Sequence, residues 1–242
     1  MTENTSSFNL FEILIALCVV YVCTSIFILL MKLAKTFLLN PFALLLSVFV
    51  FCISGCEGGD DGPADVGDND PELIACVGDS ITKGDFCDGS PYPAYLASMT
   101  GKRTINYGVG GQTASYGAAI IGSVLANKPG YVCILFGAND TIGNDEAQFK
   151  EALRAIVVAC KNNQSIAIIG TCTPMYGEHS IFNNGSERMA KLAREVAKEE
   201  GVKLADTRKA FGNDESLINS DGLHMTAAGS ELIAKTFAKK IH

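Results

Sequence analysis

A serine hydroxyl is a poor nucleophile until a neighbouring imidazole takes its proton, and the imidazole needs a carboxylate to fix its tautomer and stabilise its cation. The chain has three histidines, His179, His224 and His242. His224 stands apart because Asp221-Gly222-Leu223-His224 puts a carboxylate three residues earlier. A short turn there brings Asp221 to one ring nitrogen and leaves the other facing a serine. The candidate partner is Ser80, flanked by Gly78 and Gly84, residues that suit a tight and exposed turn. Together such groups perform acyl transfer through a covalent intermediate. Taken singly, DGLH also reads as a helix-entry loop and GDS as a capping turn.

These residues need a scaffold that brings positions 80 and 224 together. Short apolar runs at 73–77, 104–109, 131–136, 165–170 and 202–206 read as strands. Helix-period segments follow at 92–98, 114–125, 146–160, 186–200 and 226–240. Strands apolar on both faces and separated by helices predict a parallel sheet covered on both sides. The expected fold is therefore α/β, a three-layer flavodoxin-like arrangement with a five-stranded parallel sheet. Ligands in such sheets bind beyond the carboxyl ends of the strands. The unusual polar segments fall there: Gly78-Asp79-Ser80 after the first strand, Gly110-Gly111-Gln112-Thr113 after the second, and Gly137-Ala138-Asn139-Asp140 after the third.

Four segments, VGDSITKG, NYGVGGQTA, FGAND and DGLHMTAAG, resemble in order the four blocks of the SGNH or GDSL hydrolases. The resemblance covers essentially all of residues 73–242. It implies that Ser80 is the nucleophile, that His224 removes its proton and later protonates the leaving alcohol, and that Asp221 orients His224. It further implies an oxyanion hole made of the Ser80 N–H, the Gly111 N–H and the Asn139 side-chain amide. Fixed donors aimed at the charge of a tetrahedral intermediate lower its energy, and losing one typically costs about 100- to 1,000-fold in rate. A Cβ at Gly111 is expected to hinder the backbone's approach to that oxygen.

The implied activity is serine-dependent hydrolysis of carboxylic esters, short-chain acyl or acetylated-sugar esters first, on a small-molecule or glycan substrate and without a cofactor. An acyltransferase to a sugar hydroxyl, a thioesterase or lysophospholipase, and a non-catalytic ligand-binding protein on the same scaffold share these residues. Asp79, Asp140 and Thr82 are expected to be structural, and His179 either lines the entrance or, as the default, is a surface histidine. Tyr92, Tyr95, Tyr116, Met175, Tyr176 and Phe182 could line an acyl pocket, with packing on the sheet the default. The G-x-S-x-G elbow, a dinucleotide fingerprint and a phosphate loop are all missing from the sequence.

The amino-terminal quarter reads differently. Residues 13–31 are 19 uncharged positions, about 28 Å as a helix, which is the reach of a transmembrane segment. Residues 1–30 are thus either such a helix or an over-long start. Met31-Lys32-Leu33-Ala34-Lys35, an apolar run over 37–53, and Ser54-Gly55-Cys56 give the layout of a secretory signal over 31–55. The ending Ile53-Ser54-Gly55-Cys56 resembles the bacterial lipobox, which implies a lipid anchor on Cys56 and a bacterial cell-envelope location, with the folded domain outside the cytoplasm. Residues 56–72 are acidic and Gly-rich and are expected to be a tether.

The net charge of −7 does not recommend nucleic acid as a partner. Nine cysteines are present, of which Cys76, Cys87, Cys133, Cys160 and Cys172 fall in the folded part. Their odd number forbids complete pairing within one chain, and no Cys/His cluster has metal-ligand spacing.

Overall fold

A computed structural model describes residues 65–143 and 145–242. The expected signal at 31–55, the segment 1–30, Cys56 and most of the tether lie outside the described residues. Among the described residues no helix is long and apolar enough to cross a membrane.

In chain order the elements are β1 (Asp70–Gly78), α1 (Ser80–Lys83), α2 (Tyr92–Thr100), β2 (Arg103–Gly108), α3 (Ala114–Leu125), β3 (Pro129–Leu135), α4 (Asp140–Gly143), α5 (Glu146–Asn162), β4 (Ile166–Gly170), α6 (Asn183–Glu200), β5 (Lys203–Ala205), α7 (Thr207–Phe211) and α8 (Ala227–Ala238). A 3-10 turn spans Gly177–Phe182 ahead of α6. The five strands form one parallel sheet in the order β2-β1-β3-β4-β5, the flavodoxin-like order that the strand pattern predicted.

Hydrophobicity explains the centre and the edges. Every residue of β3 is buried, whereas edge strand β2, with Arg103, Thr104 and Asn106, keeps partial exposure throughout. Helices α2 and α8 pack on one another, as do α3 with α5 and α5 with α6. Tyr92 of α2 is fully buried and stacks on Phe237 of α8 with ring centroids 5.5 Å apart. Tyr92 and Met175 are therefore core residues and do not line an open acyl pocket.

Sequence and structure differ at the start of the sheet. The first strand begins at Asp70 and not at position 73, and the chain is already anchored before it. Val66 is buried, and Asn69 donates its side-chain amide to the carbonyl of Asn163 at 2.6 Å. Acidic composition concealed this because the outward-facing residues of a strand's first turns remain solvated. The five cysteines of the domain are free thiols, four of them buried.

Candidate active site

Ser80 is placed by the end of β1. Asp79 is extended at φ −97° and caps α1, its side chain accepting from the Ile81 N–H at 2.9 Å. The chain then turns through four residues and closes at Gly84, whose N–H returns to the Ser80 carbonyl at 2.8 Å. Ser80 is thus the first residue of a short helix. That position leaves its own N–H outside the helical hydrogen-bond pattern.

The loop before α8 carries the partners. His224 Nε2 lies 3.0 Å from Ser80 Oγ, and His224 Nδ1 lies 2.6 Å from Asp221 Oδ2. A carboxylate only accepts, so Nδ1 carries the proton and Nε2 is the acceptor for the serine hydroxyl. Asp221 Oδ1 accepts the N–H groups of Leu223 and His224 at 2.9 and 3.0 Å. Partial burial pushes the Asp221 carboxyl up, but these backbone bonds and the bond from the imidazole outweigh it and hold the group below its ordinary value. Ser80 and His224 are each only 8% exposed.

Gly111 and Asn139 occupy neighbouring strand-end loops. Gly111 has φ +75°, and a Cβ built there meets nothing within 4 Å. The expected steric conflict is absent from the free protein, and glycine is required by the left-handed backbone. The Asn139 amide donates to the Gln112 carbonyl at 2.9 Å, which fixes its orientation and leaves a second N–H. Beside it, Asp140 Oδ1 accepts the Ala114 N–H at 3.1 Å. Consecutive side chains after β3 therefore clamp the loop that holds Gly111.

Asp79 and Asp140 have the structural contacts expected of them, with a cost. Burial raises Asp79 to about 7 against the Ile81 hydrogen bond, and the Asp140 charge adds to the rise. Burial likewise raises Asp140 to about 6 against the N–H of Ala114. Thr82 is buried, and among the described residues its hydroxyl has no hydrogen-bond partner.

Two residues near the site have contacts that the sequence does not announce. His179, expected on the surface, is half-buried and its Nδ1 lies 2.7 Å from the Asp221 carbonyl. Phe86 lies over the His224 ring at a centroid distance of 4.9 Å while remaining 77% exposed. Neither carries a local motif. Phe86 is held from outside its own segment, because Asn219 donates its side-chain amide to the Phe86 carbonyl. Among the described residues no group of three or more His, Cys, Asp or Glu side chains is placed to hold a metal ion.

The sequence profile of the GDSL-like lipase/acylhydrolase family matches residues 76–232. The uncharacterized lipoprotein YqeF of Bacillus subtilis (strain 168) is 27% identical, with 78% of this chain and 93% of that protein covered. An acetylxylan esterase of Xylanibacter ruminicola is 25% identical over 69% of this chain, which spans only 42% of that enzyme. The crystal structure of an acetylxylan esterase from Geobacillus stearothermophilus shares the fold with a TM-score of 0.61 at 22% identity, covering 72% of this chain and 95% of that one. Structures described as catalytic mutants of that esterase carry alanine in place of a serine, an aspartate or a histidine.

Proposed function

The chain belongs to the GDSL-like lipase/acylhydrolase family, and from that premise we propose that it hydrolyses carboxylic esters through an acyl-enzyme on Ser80. The observation that carries this reading is the hydrogen-bonded series from Ser80 Oγ through His224 to Asp221, at 3.0 and 2.6 Å. Ser80 Oγ attacks the ester carbonyl carbon as its proton passes to His224 Nε2. The tetrahedral oxyanion is received by the N–H of Ser80, the N–H of Gly111 and the second amide N–H of Asn139. Collapse expels the alcohol, which takes the proton from His224, and leaves the acyl group on Ser80. Water then attacks with His224 as base, the acid departs, and Ser80 regains its proton.

Asp221 does not accept the transferred proton. It holds the Nδ1–H tautomer and stabilises the imidazolium that forms in each half-reaction. No cofactor enters this sequence. Short acyl esters, acetylated sugars foremost, are the proposed substrates, which accords with an acetylxylan esterase among the relatives. The chain is further proposed to act at the cell envelope, with 31–55 as signal, Cys56 as lipid anchor and a short acidic tether before the domain. A relative named as a lipoprotein supports this.

The test is covalent labelling with a fluorophosphonate together with turnover of nitrophenyl acetate. Wild type should label and turn over, and Ser80→Ala should do neither while keeping its melting temperature. Full activity in Ser80→Ala would overturn the mechanism.

A further inference from the structure

Phe86 combines three features that a surface residue does not need. Its side chain is large and apolar and is left in solvent. Its backbone has φ +55°, in the left-handed region that disfavours any residue with a Cβ. Its ring is tilted 47° against the His224 imidazole, with the centroids 4.9 Å apart.

Neither the exposure nor the backbone favours folding, and contacts from elsewhere in the chain impose both. Asn219 donates its side-chain amide to the Phe86 carbonyl, Asp88 accepts the Ala227 N–H at the start of α8, and Cys87 Sγ lies 3.2 Å from Ser230 Oγ on the same helix. On the other side the Asp85 N–H donates to the Ser80 carbonyl at 3.0 Å. The ring is thus fixed between the turn that carries Ser80 and the helix that follows His224. Backbone strain held in place by its surroundings, beside an uncovered apolar ring, is the signature of a residue kept for a ligand.

The chemistry indicates which half of an ester the ring would meet. The carbonyl oxygen goes toward Gly111 and Asn139, whereas the leaving alcohol must lie against the imidazole that returns its proton. Phe86 neighbours that imidazole. The acids of its own loop are engaged, Asp85 by Lys83 at 2.7 Å and Asp88 by the Ala227 N–H, so the ring supplies apolar contact and not a site for charge. We infer that Phe86 is a specificity-determining residue, packing its ring on the alcohol half of the ester and favouring neutral alcohols with an aromatic or apolar face over small ones. The inference rests on the esterase reading above and adds a preference on its alcohol side.

Methyl acetate and benzyl acetate form the same acyl-enzyme and differ only in the alcohol that leaves, so their kcat/KM values isolate the alcohol site. Wild type should prefer benzyl acetate. Phe86→Ala should lower the benzyl-to-methyl ratio about threefold to tenfold, the size of one aromatic contact, with little change in melting temperature; Phe86→Leu should fall between the two. A ring that only shielded the imidazole would slow both esters alike, so a wild type indifferent to the alcohol, or an unchanged ratio in Phe86→Ala, overturns the inference. An altered preference between methyl butyrate and methyl acetate, with the benzyl ratio intact, overturns it as well. Benzyl alcohol titrated into the isotopically labelled protein gives a readout without turnover: amide shifts at Phe86 and Cys87 are expected by NMR, with binding about threefold to tenfold weaker in Phe86→Ala. Absence of those shifts, or equal affinity in the variant, overturns the contact. Failure of wild type to hydrolyse any ester would instead remove the esterase reading, and the titration would still decide whether Phe86 binds an apolar group.

Discussion

His179 donates through Nδ1 to the main-chain carbonyl of Asp221 at 2.7 Å. The loop ahead of α6 thereby holds the backbone of the residue that holds the imidazole. The same loop adds the Tyr176 N–H on the Gly222 carbonyl, and the His179 N–H returns to the Tyr176 carbonyl at 2.9 Å. His179→Ala removes the side-chain link and keeps the two backbone ones. We expect kcat to fall about tenfold, with a loss of about 1 kcal/mol in stability. His179→Asn, whose amide can donate in the same direction, should recover part of the rate. A lower melting temperature with unchanged kcat would make the contact purely structural.

Asp221→Asn tests the tautomer argument. The substituted amide still offers an oxygen to the N–H groups of Leu223 and His224. An amide nitrogen turned toward His224 Nδ1 would favour the tautomer in which Nε2 carries the hydrogen and cannot act as base. The expected loss in kcat is on the order of 10,000-fold with little change in melting temperature. Retention of more than about a tenth of the wild-type rate would remove Asp221 from the mechanism. Because hydrogen bonds hold its carboxyl below the ordinary range, Asp221 stays ionised under mildly acid conditions.

The two strand-end loops predict different failures. At Gly111 a methyl group has room but the backbone does not suit it, so Gly111→Ala should cost about 1–2 kcal/mol in stability. Asn139→Ala loses the proposed oxyanion donor and also the bond to Gln112. It should lower kcat about 100- to 1,000-fold while leaving fluorophosphonate binding at Ser80 detectable. Steady-state rates and thermal melts on both variants check this, and a wild-type kcat in Asn139→Ala would exclude the donor role.

The parts of the candidate site legible in the sequence are those whose placement is written within a few residues. Asp221 and His224 share one turn, Ser80 follows an apolar run, and Gly111 and Asn139 sit where parallel strands end. Short continuous apolar runs likewise located all five strands, since the burial of a parallel strand on both faces follows from its own composition. What stayed hidden depends on contacts across the chain. His179 gains its role from a carbonyl 42 positions away, and Phe86 from a ring in another loop. Arg194 and Arg208 look like ordinary surface charges until Asp206 and Glu187 are brought to them. The early start of β1 was masked because Asp70 and Glu72 face solvent while Val66, a single apolar residue among acids, anchors the chain.

Asp79 should make the domain's stability depend on pH in a direction opposite to that of a salt-bridged carboxylate. Burial moves its pKa from 3.8 to about 7, and Asp140, raised only to about 6, ionises first and adds repulsion. Between these limits the folded state binds more protons than the unfolded chain, so this group's stabilisation is complete below about pH 4 and is lost as pH rises through 7. The full displacement corresponds to roughly 4 kcal/mol, on the order of 10 °C in melting temperature for a domain of this size. Asp79→Asn keeps an oxygen for the Ile81 N–H and cannot ionise. Its melting temperature should match wild type near pH 4 and exceed it progressively up to about pH 8. Parallel melting curves across that range would refute the assignment, because they would mean that Asp79 ionises in the fold as readily as in water.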